Sequence, residues 1–123
     1  MRKAFTLIEL IVVITIIAVL SVVGMVSFSG INMKSRDARR IQDLQKIAAA
    51  LEIFRQADIS KSYPTTTASL VPNYLQVMPT DPKTKANYPY NRVNPYRYTL
   101  TATLEDARNN PNQASTTYTL NSP

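Results

Sequence analysis

A chain of 123 residues with a formal charge of +6 has room for one folded domain at most beside any membrane segment. It contains no cysteine and no histidine, which excludes disulfides, imidazole acid–base catalysis and His/Cys metal clusters. If about thirty residues lie in an apolar run, about ninety remain to fold in water, a size at which the buried core is limited.

The chain opens on a short basic tip, Met1-Arg2-Lys3-Ala4, followed by Phe5-Thr6-Leu7-Ile8-Glu9-Leu10, and no charge occurs from Leu10 to Met33. As a helix that uncharged run is about 36 Å long at ~1.5 Å per residue, more than a bilayer core requires. A lone strand in lipid would leave its backbone groups unpaired, so a single span must be helical. Arg2 and Lys3 hold the tip on the cytoplasmic side, which sends the rest of the chain outward. The later cations Arg36, Arg39 and Arg40 argue the other way, but Asp37 is interleaved with them and a long domain follows.

Glu9 is the anomaly of this segment. A carboxylate in the bilayer costs at least ~2.5 kcal/mol at a helix centre and less near an interface, so its presence points to a partner. A secretory signal peptide cut after Ser27-Phe28-Ser29 would have a shorter apolar region and no Glu9. An uncleaved anchor explains the length and gives Glu9 no task, while snorkelling to the headgroups is the bland alternative for the carboxylate.

The wording Phe5-Thr6-Leu7-Ile8-Glu9 behind two cations resembles the type III signal of type IV pilins and pseudopilins. The resemblance implies that an aspartyl prepilin peptidase cuts between Ala4 and Phe5 and that the new terminus, Phe5, is N-methylated. Glu9 would then be the assembly glutamate that pairs with the terminal amine of a neighbouring subunit, while packing of apolar helices supplies most of the cohesion. The family prefers glycine before the cut, where this chain has Ala4, and a helix proline that this chain lacks before Pro64. The implied organisation is a leader at 1–4, a transmembrane and assembly half-helix at 5–33, and a globular head at 34–123.

On this resemblance the protein is a structural subunit and not an enzyme. Its partners are further copies or related subunits in a helical polymer, the peptidase and N-methyltransferase, an assembly-platform membrane protein, and the membrane before assembly. It would reside in the cytoplasmic membrane with its N-terminus inside, then in an extracellular or periplasmic filament. Such filaments serve adhesion and motility, protein secretion or DNA uptake. The alternative is a monomeric anchored domain whose head binds a ligand or partner.

Beyond Met33 the apolar residues become periodic: Ala38, Ile41, Leu44, Ile47, Ala48, Leu51 and Phe54 draw one stripe, the pattern of an amphipathic helix on a core. One helix from about Phe5 to about Ala57 is expected. The charges between its apolar positions, including Asp37, Arg40 and Asp43, read as a solvated face of mixed sign. Weak attraction to DNA is the sharper reading of the excess cations.

Prolines 64, 72, 79, 82 and 89 make the next segment irregular, and its tyrosines read as anchors with hydroxyls facing water. Tyr96, Tyr98, Leu100, Ala102 and Leu104 alternate with polar residues and predict a strand. Thr116–Leu120 predicts a partner for it, and a third short strand is expected around Tyr90–Val93. The expected fold class is α+β: a long N-terminal helix whose amphipathic half packs on a small antiparallel sheet of two to three strands.

Asp58, Asp81, Glu105 and Asp106 are scattered in the sequence, and the hydroxyl residues have no histidine to activate them, so no catalytic set emerges. Some secretion pseudopilins bind calcium in the C-terminal loop. Here Glu105-Asp106-Ala107-Arg108-Asn109-Asn110 offers oxygen atoms beside an arginine and without ligand spacing, and neither a metal nor a cofactor is expected.

Overall fold

The computed structural model of the chain describes residues 5–112 and 115–123. Helix α1 spans Leu7–Ala57 and is followed by a 3-10 turn at Thr67–Leu70. Strands β1 (Tyr90–Asn94) and β2 (Arg97–Thr103) come next, then a 3-10 turn at Ala107–Asn109 and strand β3 (Thr117–Asn121). The fold is α+β, as the residue pattern predicts. Helical bonding continues through Gly24 and Gly30, where a methyl group would meet no atom within 4 Å, so neither glycine marks a break or a close approach. Two structural units divide between Met33 and Lys34.

In the first unit the apolar side chains between Leu7 and Val23 are exposed on every face of the helix. Leu7–Gly24 is long and apolar enough to cross a membrane. The run buries nothing by itself, so only lipid or other protein chains can take this surface out of water.

In the second unit α1 presents Leu44, Ile47, Ala50 and Leu51, all buried, with Ile41, Ala48 and Phe54 packed against them. Fully burying a Leu or Ile side chain contributes about 1.5–3 kcal/mol, so this stripe and its sheet partners dominate the head's stability. Ala38, expected on the stripe, is exposed, and the stripe continues through Arg40 and Asp37. Those two residues lie four and seven positions before Leu44 and therefore face the same way. The reading of Asp37, Arg40 and Asp43 as solvated is corrected: all three are buried. Polar partners from distant loops reach them there, and this compensates the loss of water.

The sheet is antiparallel in the order β1-β2-β3. Tyr98, Leu100 and Ala102 face the core from β2, with Leu104 just beyond it, and Leu100 pairs with Leu120 while Ala102 pairs with Tyr118. Tyr96 departs from the expected alternation because it sits in the β1–β2 turn, 60% exposed. Tyr63 meets Tyr98 edge-on with ring centroids 4.7 Å apart, tying the segment after the helix to the sheet. Three tyrosine hydroxyls of this core, those of Tyr63, Tyr88 and Tyr90, are bonded internally and do not face water as expected. Tyr88 donates to Asp43 at 3.0 Å, Tyr90 to the Pro64 carbonyl at 2.7 Å, and Tyr63 to Glu52. Burial and the Glu52 carboxylate push the Tyr63 phenol up to about 12.

Candidate functional site

The first turn of α1 contains Glu9 and shows how the chain itself holds this carboxylate. Thr6 is the residue before the first helical position, and its hydroxyl accepts from the Glu9 N–H at 3.3 Å. Glu9 Oε2 in return accepts from the Thr6 N–H and from the Thr6 hydroxyl, both at 2.8 Å. This is the reciprocal capping box that a Thr-x-x-Glu sequence encodes. It satisfies two of the free N–H groups at the helix start and places negative charge at the positive end of the helix dipole. The Thr-x-x-Glu spacing of Thr6 and Glu9 is itself a signal for this cap, one that the membrane-length apolar run beside it overshadows. Glu9 is exposed and Phe5 is 88% exposed, while Ala4 lies outside the described residues.

The head contains a second concentration of charge. Arg40 donates Nε and Nη2 to the two oxygens of Asp81 at 2.6 and 3.2 Å, and Nη1 to Asp37 at 2.6 Å and Glu105 at 3.0 Å. Arg36 grips both oxygens of Glu105 at 2.6 and 2.8 Å, and Lys83 reaches the same carboxylate at 3.2 Å. Asp37, with no exposed surface, also accepts from the Glu105 and Asp106 N–H groups and from the Asn109 amide. Three cations thus meet three carboxylates drawn from the helix, the loop at Asp81 and the loop after β2.

The electrostatics follow from those bonds. The Arg36 guanidinium, with Arg40 and Lys83, holds Glu105 down to about 2 against the opposing effect of burial. Arg40 likewise holds Asp81 well below the usual carboxylate range. Burial alone would raise Asp37, but bonds from Asn109, two backbone N–H groups and Arg40 outweigh it and the net shift is downward.

The structure brings Asp81 and Glu105 together, which their separation in the chain did not announce. They converge on a guanidinium, leaving their oxygens engaged by nitrogen donors. Asp106, the next acid in the loop, is bonded to Arg108 at 2.7 Å. Among the described residues no group of three or more acidic side chains is placed to hold a metal ion. The cluster fastens two loops to the helix, and its geometry is that of a structural clamp with no open coordination position.

Residues 1–25 match the family model described as the prokaryotic N-terminal methylation motif. Neither the curated proteins nor the solved structures yielded a match. The matched stretch takes in the basic tip, Phe5, Thr6, Glu9 and most of the exposed apolar run, and it ends before the head. In these first residues the chain carries the prepilin-type motif of the type IV pilins and pseudopilins.

Proposed function

We propose that this chain is a structural subunit of a type IV pilus or pseudopilus, polymerising through its apolar N-terminal helix after removal of residues 1–4. The observation that carries the reading is the methylation motif at residues 1–25, joined to a helix whose apolar side chains are exposed all round. Cleavage falls between Ala4 and Phe5, and Phe5 becomes the N-methylated terminus. Residues 5–33 lie in the cytoplasmic membrane, N-terminus inside, and then in the filament core, while residues 34–123 form the surface head. The polymer is built from copies of this chain or from related subunits, with the prepilin peptidase and an assembly-platform membrane protein as partners.

The chemistry of assembly rests on Glu9. Cleavage creates a positive α-amine at Phe5, and in an apolar core a cation and a carboxylate are each unfavourable alone and far less so as a pair. The capping box supplies Glu9 with neutral donors only, which leaves its charge to be met by a neighbour's amine. Pairing selects the register of the incoming subunit, and apolar packing holds it.

Two measurements test the reading. N-terminal mass analysis of membrane-extracted protein is expected to return methylated Phe5; an intact Met1 would overturn the processing step. The second compares sheared filament with membrane-bound monomer for wild type and Glu9→Gln at matched expression. Membrane insertion should hold or improve, because a neutral amide is less unfavourable in lipid than a carboxylate. The filament fraction should fall sharply. An unchanged ratio would remove Glu9 from assembly and return the chain to a membrane-anchored domain.

A further inference from the structure

Strand β1 is an edge of the sheet: it pairs with β2 on one side, and among the described residues no strand pairs with it on the other. Thr65, Tyr90, Asn91, Arg92, Asn94 and Pro95 line an open depression of about 510 Å³ beside it. The single arginine there is unusual. Arg92 Nε is the one buried side-chain nitrogen or oxygen among the described residues with no hydrogen-bond partner. Arg92 also has no carboxylate within salt-bridge distance. Every side-chain carboxylate of the head is already engaged: Asp37, Asp81 and Glu105 in the clamp, Asp43 by Tyr88, Glu52 by Arg55 and Tyr63, Asp58 by Ser62, Asp106 by Arg108.

A buried N–H with no acceptor in its own chain is rare in folded proteins and is met by water, an ion or another chain. A guanidinium that has already lost part of its water gives up less on meeting an anion, and its fork matches a carboxylate in two bonds. An unpaired strand edge supplies a row of backbone donors and acceptors to an extended chain. The register shift between Arg92 and Asn94 twists the end of the strand, which leaves Tyr90 to Arg92 as the regular stretch. Charge and edge together select a peptide with one acidic side chain. A nucleic-acid strand would need a track of cations, and this depression has one.

We infer that the β1 edge with Arg92 is a docking site for an extended acidic segment of a partner protein, added to the sheet as a further strand with one carboxylate on Arg92. The inference does not depend on whether the chain polymerises.

The test uses the full chain in neutral detergent and a labelled seven-residue peptide of alternating valine and threonine with one central glutamate, followed by fluorescence anisotropy. The glutamine version should bind about tenfold more weakly or worse, the range set by a hydrogen bond to a charged group. Arg92→Gln should erase that difference, and Arg92→Lys should restore part of it. Methylating alternate backbone amides of the glutamate peptide should abolish binding in one of the two phases, a readout that simple charge attraction would not move. Equal binding of both peptides, an unaltered difference in Arg92→Gln and Arg92→Lys alike, or indifference to amide methylation in both phases overturns the proposal. So does tighter binding of a twenty-nucleotide single strand that Arg92→Gln weakens, which would make the surface a nucleic-acid site.

Discussion

Glu9 and Arg40 are both charges on one face or another of a largely apolar helix, and their surroundings could hardly differ more. Glu9 is exposed, and among the described residues its side chain is bonded to Thr6 alone and stands beside exposed apolar side chains. Arg40 has almost no exposed surface, and each of its donor nitrogens meets a carboxylate from its own unit. One charge meets only neutral donors among the described residues of its unit, while the other is met by carboxylates at every donor nitrogen. The difference teaches that the apolar segment is built for partners it does not contain. The head, by contrast, closes its buried ionic chemistry internally, and what it leaves unpaired among the described residues is the outer edges of β1 and β3.

The sharpest way to break this comparison is to separate the two units. A chain starting near Met33 should lose membrane association entirely yet keep its fold, because the core residues from Leu44 to Tyr118 all belong to residues 34–123. Circular dichroism should show mixed helix and sheet, and size-exclusion chromatography a soluble monomer. A disordered spectrum would mean that the head depends on the apolar segment or on neighbours, which its small size would explain.

The next effect is within the head. Arg40→Ala leaves Asp37, Asp81 and part of Glu105 without their shared cation, and breaking a buried pair in this way costs about 3–5 kcal/mol. Denaturant unfolding of the head should show the midpoint falling accordingly. A change under about 1 kcal/mol would mean that the loops find other donors and that the clamp contributes little.

This clamp also marks the limit of what could be read from the residues. The apolar stripe from Ile41 to Phe54 and the alternation of Tyr98, Leu100, Ala102 and Leu104 are local periodicities, and α1, β2 and β3 follow from them within one or two residues. Asp37 and Arg40 read as solvated in the sequence because an i, i+3 ion pair looks the same on a wet face as on a dry one. What separates the cases is the arrival of Asp81 and Glu105 from loops more than forty positions away. One signal was available: counting back from Leu44 by four and seven lands on Arg40 and Asp37, in register with the core. Tyr96 was misplaced for the complementary reason, since the alternation extends to it and only the turn at Pro95 removes it from the strand.

Acid should loosen the head without touching the apolar packing. Glu105, Asp81 and Asp37 all have folded values below those of free carboxylates. A group depressed in this way stabilises the fold above its unfolded value, near pH 4 for Asp and Glu, and that contribution is lost as pH falls through the folded value. Melting temperature should therefore be flat from pH 7 to about 5 and drop between about pH 4 and 2, where Glu105 titrates. In Arg40→Ala the drop should be smaller, because the main cause of the Asp81 shift is gone. An equal drop in both proteins would place the acid sensitivity outside the clamp.

The smallest expected effect concerns Thr6, and it separates the two things that Glu9 does. Within its own chain Glu9 caps a helix; in the proposed assembly it meets a neighbour's amine. Thr6→Ala removes the hydroxyl that receives the Glu9 N–H and donates to its carboxylate, but the Thr6 backbone N–H remains as a donor. The carboxylate stays charged and available. If charge pairing drives registration, Thr6→Ala should lower the sheared-filament fraction only modestly, by a factor of about two, whereas Glu9→Gln lowers it sharply. The small loss reflects a less ordered first turn, since the cap residue contributes about 1 kcal/mol to helix initiation in water. Equal losses in the two variants would show that assembly reads the shape of the capped helix end and not the charge on Glu9.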